Sequence, residues 1–330
     1  MGEREHGPRG LYPPIEPYRS GMLEVGDGQQ VYWEECGNPA GTPVLVVHGG
    51  PGGGCMPDHR RAYDPAAYRI ILFDQRGCGR SRPHASDPAV SMAANTTGHL
   101  IADAERLRAE LGVDTWVLSG SSWGSTLALA YAQAHPERVR AMVLRSIFTL
   151  RAAERAWVYR DGASRLLPEA WERFRDHIPA GERDDLVAAY RRRLESPDER
   201  VRVAAAVAWT GWETAGMLLH PDPAIEAIFS EPRFAVAFAR IESHYVAHAG
   251  FLDEGQLIRD VDAIRHIPAV ILQGRYDLCT PPATAWDLHR AWPEVDLHLV
   301  NDAGHALDEP GMVHRLVEAT DRFASAPGPR

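Results

Sequence analysis

The segment WVLSGSSWGSTLALAYAQAHP, Trp116 to Pro136, constrains the fold of this chain more than any other. An apolar run leads into Gly120-Ser121-Ser122-Trp123-Gly124, and an Ala/Leu-rich helical stretch follows at once and stops before Pro136. A serine carried on so sharp a strand-to-helix turn sits in a strained backbone conformation. The residues two before and two after it must be small, because the neighbouring strand and helix pass close by. Gly120 and Gly124 meet that demand around Ser122. Ser121 is the competing candidate, but its equivalent neighbours are Ser119 and Trp123, and an indole is too large. An ordinary Ser/Gly turn is the bland alternative; the strand before and the helix after favour a nucleophile elbow that presents Ser122.

The surrounding pattern says what the elbow is set in. From about Val31 to Arg145, strand-like runs alternate with helical stretches: VLVV (44–47), IILF (70–73), WVLS (116–119) and MVLRS (142–146). Continuous apolar runs separated by amphipathic helices predict a mostly parallel sheet covered on both faces. From Leu150 to about Arg259 the strands stop, and Ala, Arg, Glu and Trp recur at helical spacing, as in ERDDLVAAYRRRLE and VRVAAAVAWTGWE. AVILQG (269–274) and LHLV (297–300) then restore the strand pattern. The expected organisation is an α/β core over residues 1–149, a helical cap insertion over 150–260, and the rest of the core over 261–330. With 330 residues, 45% of them hydrophobic, the chain can bury a core of that size.

A serine hydroxyl is a weak nucleophile at neutral pH, so a histidine must take its proton and an acid must orient that histidine. In the α/β-hydrolase fold, which the elbow and the sheet pattern together predict, the chain order is Ser, acid, His. Asp277 follows AVILQG in QGRYD and His305 follows LHLV in NDAGHA, so both fall in loops beyond strand C-terminal ends, where the elbow also presents Ser122. Three rival acids fit less well: Asp74 precedes the serine, Asp253 lies in the insertion, and Asp302 sits too close to His305. The developing oxyanion needs backbone N–H donors. VLVVHGGPGGG supplies a glycine-rich turn directly after a strand, so one donor is assigned to Gly49 or Gly50 and the other to Trp123, the residue after the nucleophile. A phosphate-cradling loop is the competing reading, but the lysine and hydroxyl of GxxxxGK[ST] are absent. His48 is read as fixing the glycine loop.

Charge and cysteine usage exclude other classes. A formal net charge of −10 from mixed carboxylates and cations repels a phosphate backbone and provides no basic stripe, so neither nucleic acid nor an anionic membrane is an expected partner. Cys36, Cys55, Cys78 and Cys279 show no metal-ligand spacing, and no metal is expected. The N-terminal MGEREHGPRG lacks an apolar signal region, and a cytoplasmic location is the expectation. Nothing in the sequence specifies an oligomeric state.

LYPPIEPYRSG, DGQQVYWEECGNP, HGGPGGG, FDQRGCGRS, the elbow, GRYD, AWDLHRAWP, AGHA and ATDRFA run over nearly the whole chain. Together they resemble the prolyl aminopeptidases, or proline iminopeptidases, of the α/β-hydrolase superfamily. The resemblance implies release of an N-terminal proline from peptides through an acyl-enzyme, with no metal or organic cofactor. It also implies that Glu213 in AWTGWE and Glu242 in ARIESHYV recognise the free amine. Without the resemblance each would read as a solvated helix carboxylate or a structural ion pair. Trp123 and Phe148 would form the apolar wall for the pyrrolidine ring, and Arg145 would position cap residues. Two departures bear on the pocket: Ser121 replaces a glycine usual before the nucleophile, and Cys279-Thr280-Pro281 differs from the usual sequence after the acid. The alternatives are an esterase or amidase of the same fold acting without a free amine, and a non-catalytic binding protein.

Overall fold

The computed structural model describes residues 9–324. Strands β1 (Arg19–Gly26) and β2 (Gln29–Gly37) form an antiparallel hairpin whose two-residue turn is Asp27-Gly28. Both turn residues have positive φ, 54° and 69°, the conformation that matches the twist of paired strands and that an Asp-Gly pair adopts readily. This hairpin adds a strand ahead of the expected strand-rich region near Val31. β3 (Thr42–Val47), β4 (Tyr68–Phe73), β5 (Trp116–Ser122), β6 (Val139–Ile147), β7 (Ala269–Gly274) and β8 (Asp296–Val300) complete one sheet of order β1-β2-β4-β3-β5-β6-β7-β8. Pairing is antiparallel from β1 to β4 and parallel from β4 to β8.

Helices α1 (Thr97–Glu110) and α2 (Trp123–Ala134) flank β5 in sequence. Between β6 and β7 the chain runs through α3 (Ala152–Tyr159), α4 (Pro168–Asp176), α5 (Leu186–Leu194), α6 (Glu199–Met217), α7 (Pro223–Ser230), α8 (Pro232–Ala247) and the single turn α9 (Gln256–Arg259). Helix α10 (Pro282–Ala291) joins β7 to β8, and α11 (Pro310–Ala324) follows β8. The two-residue period of the strands divides the core. Leu45, Val47, Leu118 and Leu144 pack on one face with residues of α1, α2 and α10, while Val44, Val46, Val117 and Val143 pack on the other with α11. A third apolar cluster lies within the insertion, where Tyr159, Phe174, Tyr190, Trp209 and Trp212 are buried together and Phe174 stacks on Tyr190 at 4.5 Å. After α8 the chain returns to the sheet: Leu257, Val261 and Ile264 join the core beneath α2. Packing with the sheet therefore resumes ahead of residue 260. Among the described residues no helix is long and apolar enough to cross a membrane.

The turn between β5 and α2 has the strained geometry that its sequence demands. Ser122 adopts φ 57° and ψ −127°, a conformation that disfavours any residue with a Cβ. A Cβ on Gly120 would lie 2.2 Å from the Gly124 carbonyl oxygen, and one on Gly124 would lie 2.1 Å from that of Val47. Both contacts are with backbone that cannot move aside. The two glycines are fixed by β3 and α2 crowding the turn, as expected.

Candidate active site

A cavity of about 480 Å³ lies at the C-terminal edge of the sheet. Strand ends and loops contribute Gly49, Gly50, Ser122, Arg145, Phe148 and His305 to its lining; the insertion contributes Tyr159, Glu213, Phe238, Glu242 and Tyr245. Residues far apart in sequence thus share one cleft.

His305 and Asp277 are buried and hydrogen-bonded to each other, with Nδ1 2.9 Å from Oδ2 and 3.0 Å from Oδ1. Asp277 also accepts from the Thr280 backbone N–H and hydroxyl, each at 2.8 Å, and from Gln273 at 3.3 Å. Burial alone would raise its pKa, but the facing imidazole and these donors outweigh burial and hold it below the ordinary carboxylate range. An ionised Asp277 keeps the His305 proton on Nδ1 and leaves Nε2 free to accept one. The rival acids are engaged or placed elsewhere. Asp74 accepts from Cys55 N–H, Arg80 N–H and the Arg80 guanidinium, and so ties down the loop after β4. Asp302 is exposed, and no hydrogen bond joins it or Asp253 to a histidine among the described residues.

The glycine loop after β3 is pressed against Ser122: a Cβ built on Gly49 would lie 3.5 Å from that of Ser122. Neither the Gly49 nor the Gly50 N–H makes a hydrogen bond among the described residues. The Trp123 N–H stands in the first turn of α2, where it has no intrahelical acceptor and the helix dipole favours negative charge. His48 holds the loop in place. Its Nε2 accepts from the Gln75 N–H at 3.0 Å, and its Nδ1 meets both the Gly49 carbonyl at 2.9 Å and the Gly54 N–H at 3.2 Å. Burial lowers the pKa of His48 and keeps it neutral.

Two of the expected wall and positioning contacts are different in the structure. The Trp123 indole does not line the cavity. It is fully buried, packs on Tyr245 with centroids 4.5 Å apart, and donates to Gln75 Oε1 at 2.8 Å, because the helical turn swings the side chain under α8. Phe148, in contrast, borders the cavity. Arg145 makes no hydrogen bond or ion pair to the insertion. It stands on β6 opposite Ser121 and donates to the His305 carbonyl and to the Ser146 hydroxyl.

Glu213 on α6 and Glu242 on α8 face the cavity from two helices packed against each other. Tyr159 donates its hydroxyl to Glu213 at 2.9 Å, and the Trp209 indole donates to Glu242 at 2.6 Å. Neither carboxylate has a cation within 4 Å among the described residues. Burial pushes the Glu213 pKa up to about 7, and burial plus repulsion from Glu213 lifts Glu242 well above the carboxylate range. The pair therefore retains protons near neutrality and gains most from a bound cation. Tyr159 and Trp209 escaped sequence analysis: their bonds span 54 and 33 residues, and no local pattern marks them. Asp277, Cys279 and His305 bring potential metal-donor atoms within 4.8 Å of one another. A metal there would displace the Asp277–His305 bond, and burial raises the Cys279 thiol pKa well above its ordinary value, so the set is a poor ligand group.

Residues 42–308 match the family model of the alpha/beta hydrolase fold. The chain is 52% identical over 316 residues to a proline iminopeptidase of Xylella fastidiosa, covering 96% of this chain and 99% of that one. It is 53% identical over 317 residues to a proline iminopeptidase of Xanthomonas citri, covering 96% and 100%. Among solved structures it resembles an esterase of Exiguobacterium antarcticum, with a TM-score of 0.63, 19% identity and coverage of 92% and 99%, a likeness of fold alone. Identity at this level over almost the full length of both chains, on an eight-stranded sheet with this elbow, means that the chain belongs to the proline iminopeptidase family of α/β-hydrolases.

Proposed function

We propose that the protein is a serine aminopeptidase that releases N-terminal proline from peptides through an acyl-enzyme. The observation that carries this reading is a pair of carboxylates with no partner cation among the described residues, Glu242 buried and Glu213 half-buried, bordering the same cavity as Ser122. A chain that only hydrolysed neutral esters would gain nothing from two such groups, whose burial is unfavourable until a positive charge arrives. The prolyl ammonium supplies that charge, and the pyrrolidine ring meets the apolar surface of Phe148, Phe238 and Tyr245. With the amine held, the first carbonyl lies over Ser122. His305, oriented by Asp277, takes the serine proton as Oγ attacks, and the N–H groups of Trp123 and of Gly49 or Gly50 receive the oxyanion. His305 then protonates the departing amine, and water activated by the same imidazole cleaves the prolyl ester.

Two consequences can be measured. Acetylating the amine of proline β-naphthylamide removes the cation and should lower kcat/KM by at least about 100-fold, the scale for a buried charge pair left unmatched. Equal turnover of the capped and free substrates would refute amine recognition. The pH dependence is the second. Glu213 protonates as pH falls through about 7 and can then no longer pair with the ammonium. For the prolyl substrate Glu213 must also be ionised, so its acid limb should be steeper and reach to higher pH than that of p-nitrophenyl acetate. Parallel limbs for the two substrates would contradict the role given to Glu213.

A further inference from the structure

The cavity lining extends past Ser122 to the α11 face of the sheet, a lobe where Ser119, Ser121, Tyr63, His59 and Arg145 line it beside Leu316 of α11. These groups offer hydrogen-bond donors. Ser121 and Arg145 are directly opposed in the β5–β6 ladder, and Ser121 is the residue that departs from the glycine usual at this position. His59 accepts the Met56 N–H on Nδ1 at 3.2 Å, which puts its proton on Nε2. Burial, together with the nearby Arg145 guanidinium, depresses its pKa to about 4, so it stays a neutral donor. Arg145 has no carboxylate within 4 Å among the described residues, and its two bonds go to the His305 carbonyl and the Ser146 hydroxyl. Of the acids around it, Asp277 is bonded to His305, Glu309 accepts the Gly304 N–H on one oxygen and is not within 4 Å of the guanidinium, and Asp58 and Asp308 are exposed. A half-buried guanidinium without a carboxylate, ringed by hydroxyl and imidazole donors, matches a carboxylate ligand.

We infer that this lobe binds the free α-carboxylate of the leaving residue through Arg145, so that the enzyme favours prolyl dipeptides over substrates whose leaving group has no carboxylate there. The inference rests on the aminopeptidase reading above. The geometry suits a dipeptide, because the leaving residue places its carboxylate about one residue length, roughly 3.8 Å, beyond the scissile bond. Arg145 borders the same cavity as Ser122 and is bonded to the backbone of His305.

The test compares kcat/KM for Pro-Gly and Pro-Gly-amide, with proline β-naphthylamide as a reference. In the unmodified enzyme the dipeptide should be preferred by about 10- to 100-fold, the range of one charge-assisted bond in a partly desolvated site. In Arg145→Met that ratio should fall to near one. The ratio is the readout because Arg145 also braces the His305 loop, and loss of that brace lowers both substrates together. Ser121→Ala should reduce the preference by a smaller factor without disturbing the brace. A ratio near one in the unmodified enzyme, with the naphthylamide still cleaved, overturns the carboxylate site alone, as does an unchanged ratio in Arg145→Met. Failure to cleave any of the three substrates overturns the aminopeptidase reading and this inference with it.

Discussion

Replacing Ser122 by Ala should reduce kcat/KM on proline β-naphthylamide by about 10⁴- to 10⁶-fold while leaving the melting temperature essentially unchanged. The rate loss follows from removing the only atom that forms the acyl-enzyme, and the remaining catalysis comes from binding and the oxyanion donors. Stability holds because Ala keeps the Cβ and the same strained backbone at φ 57°. Ser122→Gly makes a sharper contrast. It should lose activity equally yet unfold at higher temperature, since glycine relieves strain on the order of 1–2 kcal/mol at this conformation. Adding His305→Ala to Ser122→Ala should slow the enzyme little further, because groups that act as one unit lose their effect together. Native circular dichroism with residual activity near the unmodified level in Ser122→Ala would remove Ser122 from the mechanism.

Glu213→Gln should separate recognition from chemistry. With the amine facing a neutral amide, kcat/KM for the prolyl substrate should drop by about 10²- to 10³-fold. Hydrolysis of p-nitrophenyl acetate, which carries no amine, should fall far less. The same substitution should stabilise the ligand-free protein in alkaline solution. Glu213 holds its proton up to about pH 7 when folded, against an ordinary value of 4.5. Between those values the unfolded chain ionises and the folded one does not, so the penalty grows as pH rises and is complete above about 7. Glutamine removes it, with a gain on the order of 2–3 kcal/mol at pH 8, seen as a rise of a few degrees in Tm, and a small gain at pH 5. Comparable loss of prolyl and acetate turnover in Glu213→Gln would mean that the residue supports the fold of the cavity and does not recognise the amine. Glu242→Gln should behave in the same direction, because burial and its neighbour Glu213 raise its pKa too.

What could be read from the sequence followed the range over which each constraint acts. The elbow is a local steric problem, so Gly120, Ser122 and Gly124 carry it within five residues. Asp277 and His305 were accessible because the fold fixes their order and puts each just after a strand. The β1–β2 hairpin carries a local signal as well, the Asp27-Gly28 turn, which lies just ahead of the strand-rich region that starts near Val31. Orientation was not legible. Whether the Trp123 ring faces the cavity depends on Gln75, 48 residues away, and on Tyr245 in α8. Arg145 is held by the backbone of His305 across the sheet edge, and no periodicity in β6 indicates which way its side chain reaches. Glu213 and Glu242 came from family resemblance, since no spacing rule relates carboxylates on two helices separated by a loop and α7. Their partners Tyr159 and Trp209 were missed for the same reason.

The most direct measurement of the central claim is acid-quenched mass spectrometry of the enzyme mixed with the p-nitrophenyl ester of proline, an activated substrate that acylates faster than an amide. The account predicts a transient prolyl adduct on the peptide carrying Ser122, present in the unmodified enzyme and lost in Ser122→Ala. An adduct on another residue, or undiminished turnover in Ser122→Ala, would contradict it.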